Sequence, residues 1–338
     1  MNVLVTPLDW GLGHATRCIP LINKLKESGY TVFIAGSGPS LALLKIEFPS
    51  SKFFEITSYE ISYSARLPLL VHLSLKIPSV LRIIRKEHEQ VADIVKKENI
   101  SFIISDNRYG CYHDRIPSAI ITHQLSIQAP LNSVVNHYNK KLIKRFSECW
   151  VPDSPNHALS GKLSLSNIPH KYIGPLSRMK PVLSSRNIHI LGLVSGPEPH
   201  RTFFDKLLTE QIKGQSSYSL VRGLPSPETT DGPIFNHLPS QQLNELVNAA
   251  NIVISRSGYS TIMDLAALNK KAIFVPTPGQ TEQLYLAKEL DRRKIAPMVS
   301  QNKFSLKAAL DRVKDYSGFT ENYFKENLLE KTLREFLD

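Results

Sequence analysis

Ser255 to Gln283 reads SRSGYSTIMDLAALNKKAIFVPTPGQTEQ. Ile252 to Ile254, just before it, is a short β-branched run, and Ser257-Gly258 falls where that strand turns into a helix starting near Tyr259. Such a turn leaves backbone N–H groups without intrahelical partners. The helix dipole adds partial positive charge there, so an anion is favoured. Gly258 has no Cβ to obstruct a phosphate. Taken alone, the turn also fits an ordinary loop with a hydroxyl N-cap.

The next residues narrow that choice. Asp264 lies six positions beyond Gly258, on the first turns of the helix, where a carboxylate can receive two vicinal hydroxyls. A second apolar strand, Ala272 to Val275, leads through a Pro- and Gly-bearing loop to Glu282-Gln283 at another helix start. An acid beside an amide offers two donors and several acceptors, which suits a polyhydroxylated ring.

The segment resembles the C-terminal nucleotide-sugar site of GT-B glycosyltransferases. It is most similar to the family 28 type, which includes the lipid-linked N-acetylglucosaminyltransferase of peptidoglycan synthesis. The resemblance implies an α/β, GT-B fold: two Rossmann-like, doubly wound parallel-sheet domains facing a cleft. It implies that Ser257 and Gly258 hold the donor diphosphate, with Arg256 beside them in the donor-binding set, Asp264 the ribose, and Gln283 with Glu282 the transferred sugar. The family often has Glu where this chain has the shorter Asp264.

The N-terminus gives an independent second match. Val3 to Pro7 is a strand candidate, followed by DWGLGHATR and an amphipathic helix through Ile19, Ile22 and Leu25 that ends at Ser28-Gly29. Gly11 and Gly13 permit a tight turn that places His14 and Arg17 at the helix start. A dinucleotide-binding fingerprint fails because its third glycine position holds Thr16. The second strand, Thr31 to Ala35, also lacks a following acid. No Lys stands in P-loop spacing. GLGHATR instead resembles the GT-B glycine loop that faces the acceptor, and the G-H-x-x-R loop of a related nucleotide-sugar hydrolase.

Strand-like runs alternate with helical ones through both halves, as parallel sheets require. The first half has Val3 to Pro7, Thr31 to Ala35, Phe53 to Ile56, Ser101 to Ser105, Ala119 to Thr122 and Glu148 to Val151. The second has Ile188 to Ser195, Ser217 to Arg222, Ile234 to Leu238, Ile252 to Ser255, Ala272 to Val275 and a weaker Ala296 to Val299. Within the polar run Ile173 to Asn187 we place a linker at 177–187, dividing domains at 1–176 and 188–320. By resemblance to the fold, residues 321–338 form a helix that returns to the first domain. A length of 338 residues exceeds the roughly 250 to 300 at which single cores stop growing.

Ligands of such sheets bind beyond the strands' carboxyl ends, so the turns there are candidate ligand positions. Ser195-Gly196 and Arg201, then Arg222, follow two strands of the second half, at turns that approach the diphosphate in GT-B proteins. His237-Leu238 ends another, where the resemblance places base-binding backbone for uracil. In the first half, SDNRYG brings Asp106 and Arg108 to a strand end, and THQ brings His123 and Gln124 to the next. Gly11, Gly13, Arg17, Arg108, His123 and Gln124 are the acceptor-side set. His14 is the first candidate for general base, since a neutral imidazole is available near pH 7. Asp106 is either an alternative base or the group that orients His14.

The expected chemistry is inverting sugar transfer from a nucleoside diphosphate, with helix N-termini stabilising the leaving group in place of a metal. The sequence carries neither a D-x-D motif nor a His/carboxylate cluster, so no metal or cofactor is expected. Three cysteines, Cys18, Cys111 and Cys149, have no metal spacing, and their odd number points to a reducing cytosol. No run reaches the roughly 18 apolar residues of a membrane span. Of the net charge of +11, residues 1–178 carry +8. Arg66 to Lys86 is rich in Leu and Ile with Arg82, Arg85 and Lys86 at one end, and Lys140, Lys141, Lys144 and Arg145 form a second cluster. These suit an anionic membrane surface and a lipid-linked acceptor, or are the solvated cations of an ordinary core helix. Nucleic acid is not expected, because aromatics do not interleave with the basic runs. The function classes left open are a transferase, a nucleotide-sugar hydrolase using the same groups on water, and a non-catalytic nucleotide-sugar binder.

Overall fold

The computed structural model describes the chain except for residues 60–76, 128–131, 185–186, 225–231, 321–322, 325–326 and 338. It divides into two compact units, Met1–Ser177 with Tyr323–Asp338, and Arg178–Asn322.

The first unit is built on a parallel sheet of Asn2–Pro7 (β1), Thr31–Gly36 (β2), Lys52–Glu55 (β3), Phe102–Asp106 (β4), Ser118–Ile121 (β5), Glu148–Val151 (β6) and Lys171–Tyr172 (β7). Its order is β3-β2-β1-β4-β5-β6-β7. β1 lies between β2 and β4 with Val3, Leu4 and Val5 wholly buried, which is why it reads as a continuous apolar run instead of an alternating one. Helix Leu12–Glu27 (α1) follows and packs Ala15, Cys18, Ile22 and Leu25 inward at helical spacing. Gly38–Glu47 (α2), Ile77–Glu98 (α3) and Asn132–Ile143 (α4) complete the layers before the chain leaves the unit.

The second unit has Ile188–Leu193 (β8), Tyr218–Val221 (β9), Ile234–Phe235 (β10), Ala250–Ser255 (β11) and Lys271–Phe274 (β12), in the parallel order β10-β9-β8-β11-β12. Its helices are His200–Ile212 (α5), Ser240–Ala249 (α6), Tyr259–Ala267 (α7), Thr281–Arg292 (α8) and Leu306–Val313 (α9). Leu328–Leu337 (α10) belongs to the first unit. There Phe336 meets the buried Trp150 edge-on at 5.0 Å, and Lys24 pairs with Glu330 at 2.7 Å.

In each sheet the strand order reverses once, between β1 and β4 in the first and between β8 and β11 in the second. A crevice beyond the carboxyl ends opens at such a reversal, and ligands of open α/β sheets bind there. The α/β reading with parallel sheets holds, and three details differ from it. Ala296 to Val299 forms no strand: Pro297 has no N–H to give, and the segment makes one isolated bridge, Phe274 to Met298. The run expected over Ile234 to Leu238 keeps only two strand residues before Pro239. β7, also two residues, had no periodic signal to read. Of the Arg66 to Lys86 run, residues 66–76 lie outside the described residues.

Candidate functional site

In the first unit, β1 ends beside β4, with Pro7 in register with Asp106. Gly11 then turns the chain at φ 80°, a conformation glycine adopts without strain, and caps α1. The turn rests on Gly11 alone, for Gly13 already belongs to α1. Asp9 anchors the base of this loop, its Oδ2 accepting from Ser37 Oγ (2.8 Å), Ser58 Oγ (2.5 Å) and the Tyr59 N–H (3.2 Å).

The first turn of α1 and the end of β4 bring together His14, Arg17 and Asp106. His14 Nδ1 lies 3.1 Å from Asp106 Oδ1. Arg17 donates from Nε to Oδ2 at 2.6 Å and from its NH2 group to Oδ1, a bidentate pair buried to 2% and 1% side-chain exposure. Arg17 also reaches His123 Nδ1 at 3.4 Å, and His123 is buried. Burial alone would raise the Asp106 carboxyl, but Arg17 and then His14 outweigh it and hold the group well below the usual carboxylate range. Asp106 is therefore a poor base and a permanent acceptor. Burial lowers the His14 imidazole most; Asp106 pulls it up, Arg17 pushes it down, and the result lies below the ordinary histidine value. With 16% of its side-chain surface exposed, against 1% for Asp106, His14 is the member of the pair that a substrate can meet.

Two expectations for this unit need correction. Arg17 does not face an acceptor: its guanidinium is spent on Asp106. Arg108 is wholly buried as well. It donates to the carbonyls of Pro7 (2.8 Å) and Thr57 (3.0 Å), to Ser37 Oγ (2.6 Å) and to Glu87 Oε1 (2.6 Å), so it locks the strand ends from beneath. Gln124 uses its backbone, with N–H to Thr122 Oγ1 and carbonyl to Asn139. Two neighbours escaped the sequence reading. Cys18 lies with Sγ 3.6 Å from Asp106 Oδ2, and Asn107 stands at φ 57° with a buried, unpartnered Oδ1. An Asn after an Asp at a strand end was the available signal.

In the second unit, β11 runs into the turn Arg256-Ser257-Gly258, and Gly258 caps α7 at φ −69°. That backbone suits any residue. What glycine supplies is space, since the nearest atom to an added Cβ is Thr261 Oγ1 at 3.9 Å. Ser257 is buried, its Oγ donating to the Gln283 carbonyl at 2.8 Å, and Gln283 Oε1 accepts the Thr277 N–H at 2.9 Å. These two bonds join the β11 turn, the β12 loop and the start of α8. They leave the Gln283 NH2 as the half of the amide that can donate outward. Asp264 is half-buried on α7, and Glu282 sits in the first turn of α8.

Arg256 departs from the expectation of a donor-binding residue. It is 1% exposed and stacks on Phe204 at 4.1 Å. It donates to the carbonyls of Val275 (3.0 Å), Pro276 (3.2 Å) and His200 (3.0 Å) and to Gln301 Oε1 (2.7 Å). Burial lowers its pKa to about 10. Arg256 thus staples the turns together. Arg222 likewise forks onto the buried Asp205, with Nε to Oδ1 and Oδ2 at 3.1 and 3.0 Å and NH2 to Oδ2 at 2.7 Å. Arg201, near the start of α5, pairs with the exposed Glu198, a surface contact worth roughly 0–1 kcal/mol that an anion can displace. Ser195 and Gly196 are exposed after β8, Gly196 at φ 110°; His237 is exposed and Leu238 buried after β10. Among the described residues no group of three or more His, Cys, Asp or Glu is placed to hold a metal ion, and no helix is long and apolar enough to cross a membrane.

Residues 234–332 match the glycosyltransferase family 28 C-terminal domain. A relative from Clostridium tetani, UDP-N-acetylglucosamine--N-acetylmuramyl-(pentapeptide) pyrophosphoryl-undecaprenol N-acetylglucosamine transferase, is 23% identical over 96% of this chain and 92% of its own. Among solved structures, the spinosyn rhamnosyltransferase SpnG complexed with thymidine diphosphate superposes with a TM-score of 0.62 at 15% identity, over 100% of both chains. Acinetobacter baumannii MurG does so with a TM-score of 0.58 at 13% identity, over 97% of this chain and 93% of its own. The chain is a nucleotide-sugar-dependent glycosyltransferase of the GT-B fold, and its residues 234–332 are similar to the C-terminal domain of family 28.

Proposed function

We propose that the protein transfers a sugar, with inversion and without a metal, from a UDP-sugar to the hydroxyl of a lipid- or glycan-linked acceptor. The observation that carries this reading is the His14–Asp106 pair at the reversal point of the first sheet, a partly exposed imidazole held by a buried carboxylate. His14 removes the acceptor proton, and Asp106 orients it. In the second unit the N–H groups at the start of α7, with the Ser195-Gly196 turn, take up charge growing on the diphosphate as it leaves. Asp264 holds the ribose, the backbone at His237-Leu238 the base, and Glu282 with the Gln283 NH2 the sugar. The C. tetani relative's name gives both a UDP-sugar donor and an undecaprenol-linked acceptor, which supports the same classes here.

A membrane-bound acceptor accords with the exposed faces of α3 and α4. Leu81 and Tyr138 stand out of the surface beside exposed Arg82, Arg85, Lys86, Lys141, Lys144 and Arg145. The enzyme then works from the cytoplasm against the inner membrane face. Mass spectrometry of the protein with a UDP-sugar panel, with and without membrane lipid extract, tests the reading. Diphosphate release that depends on the extract is expected. Release in water alone makes the protein a hydrolase, and binding without release makes it a binder.

A further inference from the structure

We propose that Arg17 is a positioning residue for the general base, fixing the tautomer and the charge of His14; this rests on the transferase reading above. In this cluster Asp106 Oδ1 accepts and the Arg17 NH2 group donates, while His14 Nδ1 can do either according to its tautomer. Asp106 Oδ1 receives the Arg17 NH2 group and lies 3.1 Å from His14 Nδ1, so the two nitrogens sharing that oxygen stand 3.0 Å apart. An ionised carboxylate is the stronger partner for Nδ1–H. With Nδ1 protonated, the lone pair of the neutral ring falls on Nε2, which is what a base requires.

The charges decide the rest. The groups facing His14 are Asp106 from the end of β4, Arg17 from α1 and His123 from beyond β5, while Cys18 touches only the carboxylate. Asp106 and Arg17 cancel, so the buried cluster is neutral with His14 unprotonated. A carboxylate alone would orient the ring just as well but would also draw a proton onto it. Arg17 separates the two effects, since Asp106 keeps its aim while losing its net charge. Removing Arg17 leaves one buried negative charge, and the His14–Asp106 pair neutralises it by binding a proton.

The test is the ring nitrogen spectrum of His14, assigned by His14→Gln, in the full-length protein and in Arg17→Gln and Arg17→Lys. It is run beside the pH dependence of turnover with UDP-N-acetylglucosamine and membrane lipid extract. The expected result is an Nδ1-protonated neutral ring in the unaltered protein. In Arg17→Gln the pair takes up its proton at least roughly one pH unit higher, and the acidic limb of kcat/KM moves up with it. Arg17→Lys, which keeps the charge, falls between the two and carries the test if Arg17→Gln does not fold. An Nε2-protonated ring in the unaltered protein, or ring titration and acidic limb unchanged without Arg17, overturns the proposal. If the unaltered protein turns over no donor, the transferase reading fails, while the ring spectrum still decides the role of Arg17.

Discussion

Asp106 is 1% exposed and already takes contacts from Arg17, His14 and Cys18, so under the proposed function the proton transfer falls to His14. His14→Ala should lower turnover by about 10²- to 10⁴-fold while calorimetry shows nucleotide affinity near that of the unaltered protein; equal activity rules out the base. The sign of the pH effect follows from the shifted imidazole. Its pKa lies below the ordinary histidine value, so activity persists as pH falls past about 6.5 and is lost only through the lower, folded-state value. Asp106→Asn removes the one upward influence, so its reduced activity should show an acidic limb at lower pH still; a limb displaced upward contradicts the assignment. Asp264→Ala should weaken nucleotide binding by roughly tenfold or more, the cost of losing a hydrogen bond to a charged group. His14 and Asp106 were legible because a glycine turn and a polar residue after an apolar strand both announce a strand's carboxyl end. Arg17, Arg108 and Arg256 were misread for one shared reason. A sequence shows an arginine at a turn, but not the Glu87, Asp106 or bare carbonyls that the fold has waiting for it.

The strand–turn–helix unit recurs at β1 to α1 and β11 to α7, and the glycines at strand ends do different work, as Gly258 after β11 and Gly223 after β9 illustrate. Gly258→Ala meets open space and an ordinary φ, so stability should fall by no more than about 1 kcal/mol, while nucleotide affinity drops as the methyl group blocks the approach. Gly223→Ala is the contrasting case: φ is 63°, and the new Cβ would sit 2.5 Å from the Val194 carbonyl oxygen. Urea denaturation should show a loss of about 1–3 kcal/mol. A Gly223 variant as stable as the parent would refute the strain. Elements with four or more paired residues and a β-branched run were readable from the chain. The two-residue β7 was not, and β10 was read too long, because a pairing so short is decided by the neighbouring strand instead of by local pattern.

Among the described residues, Arg108 and Glu87 form an ion pair with zero side-chain exposure for both partners. Breaking it from one side leaves an unpaired buried charge, so Arg108→Met should cost about 3–5 kcal/mol, read as a fall in the denaturation midpoint. The excess of +8 in residues 1–178 was plain from composition, and the structure exposes much of it on α3 and α4. Flotation with anionic vesicles at low salt, lost on replacing Lys140, Lys141 and Lys144, is the expected behaviour; absence of flotation by the unaltered protein removes the membrane from the account. The two-unit organisation rests on features a sequence carries well, alternating strands and helices around a polar linker. The account stands on peptide N–H groups holding a diphosphate, and crystals soaked with UDP in the presence of a chelator test that directly. The phosphate oxygens should lie within hydrogen-bond distance of the N–H groups at the start of α7, beside Ser257 and Gly258; UDP bound elsewhere, with that turn unoccupied, would contradict it.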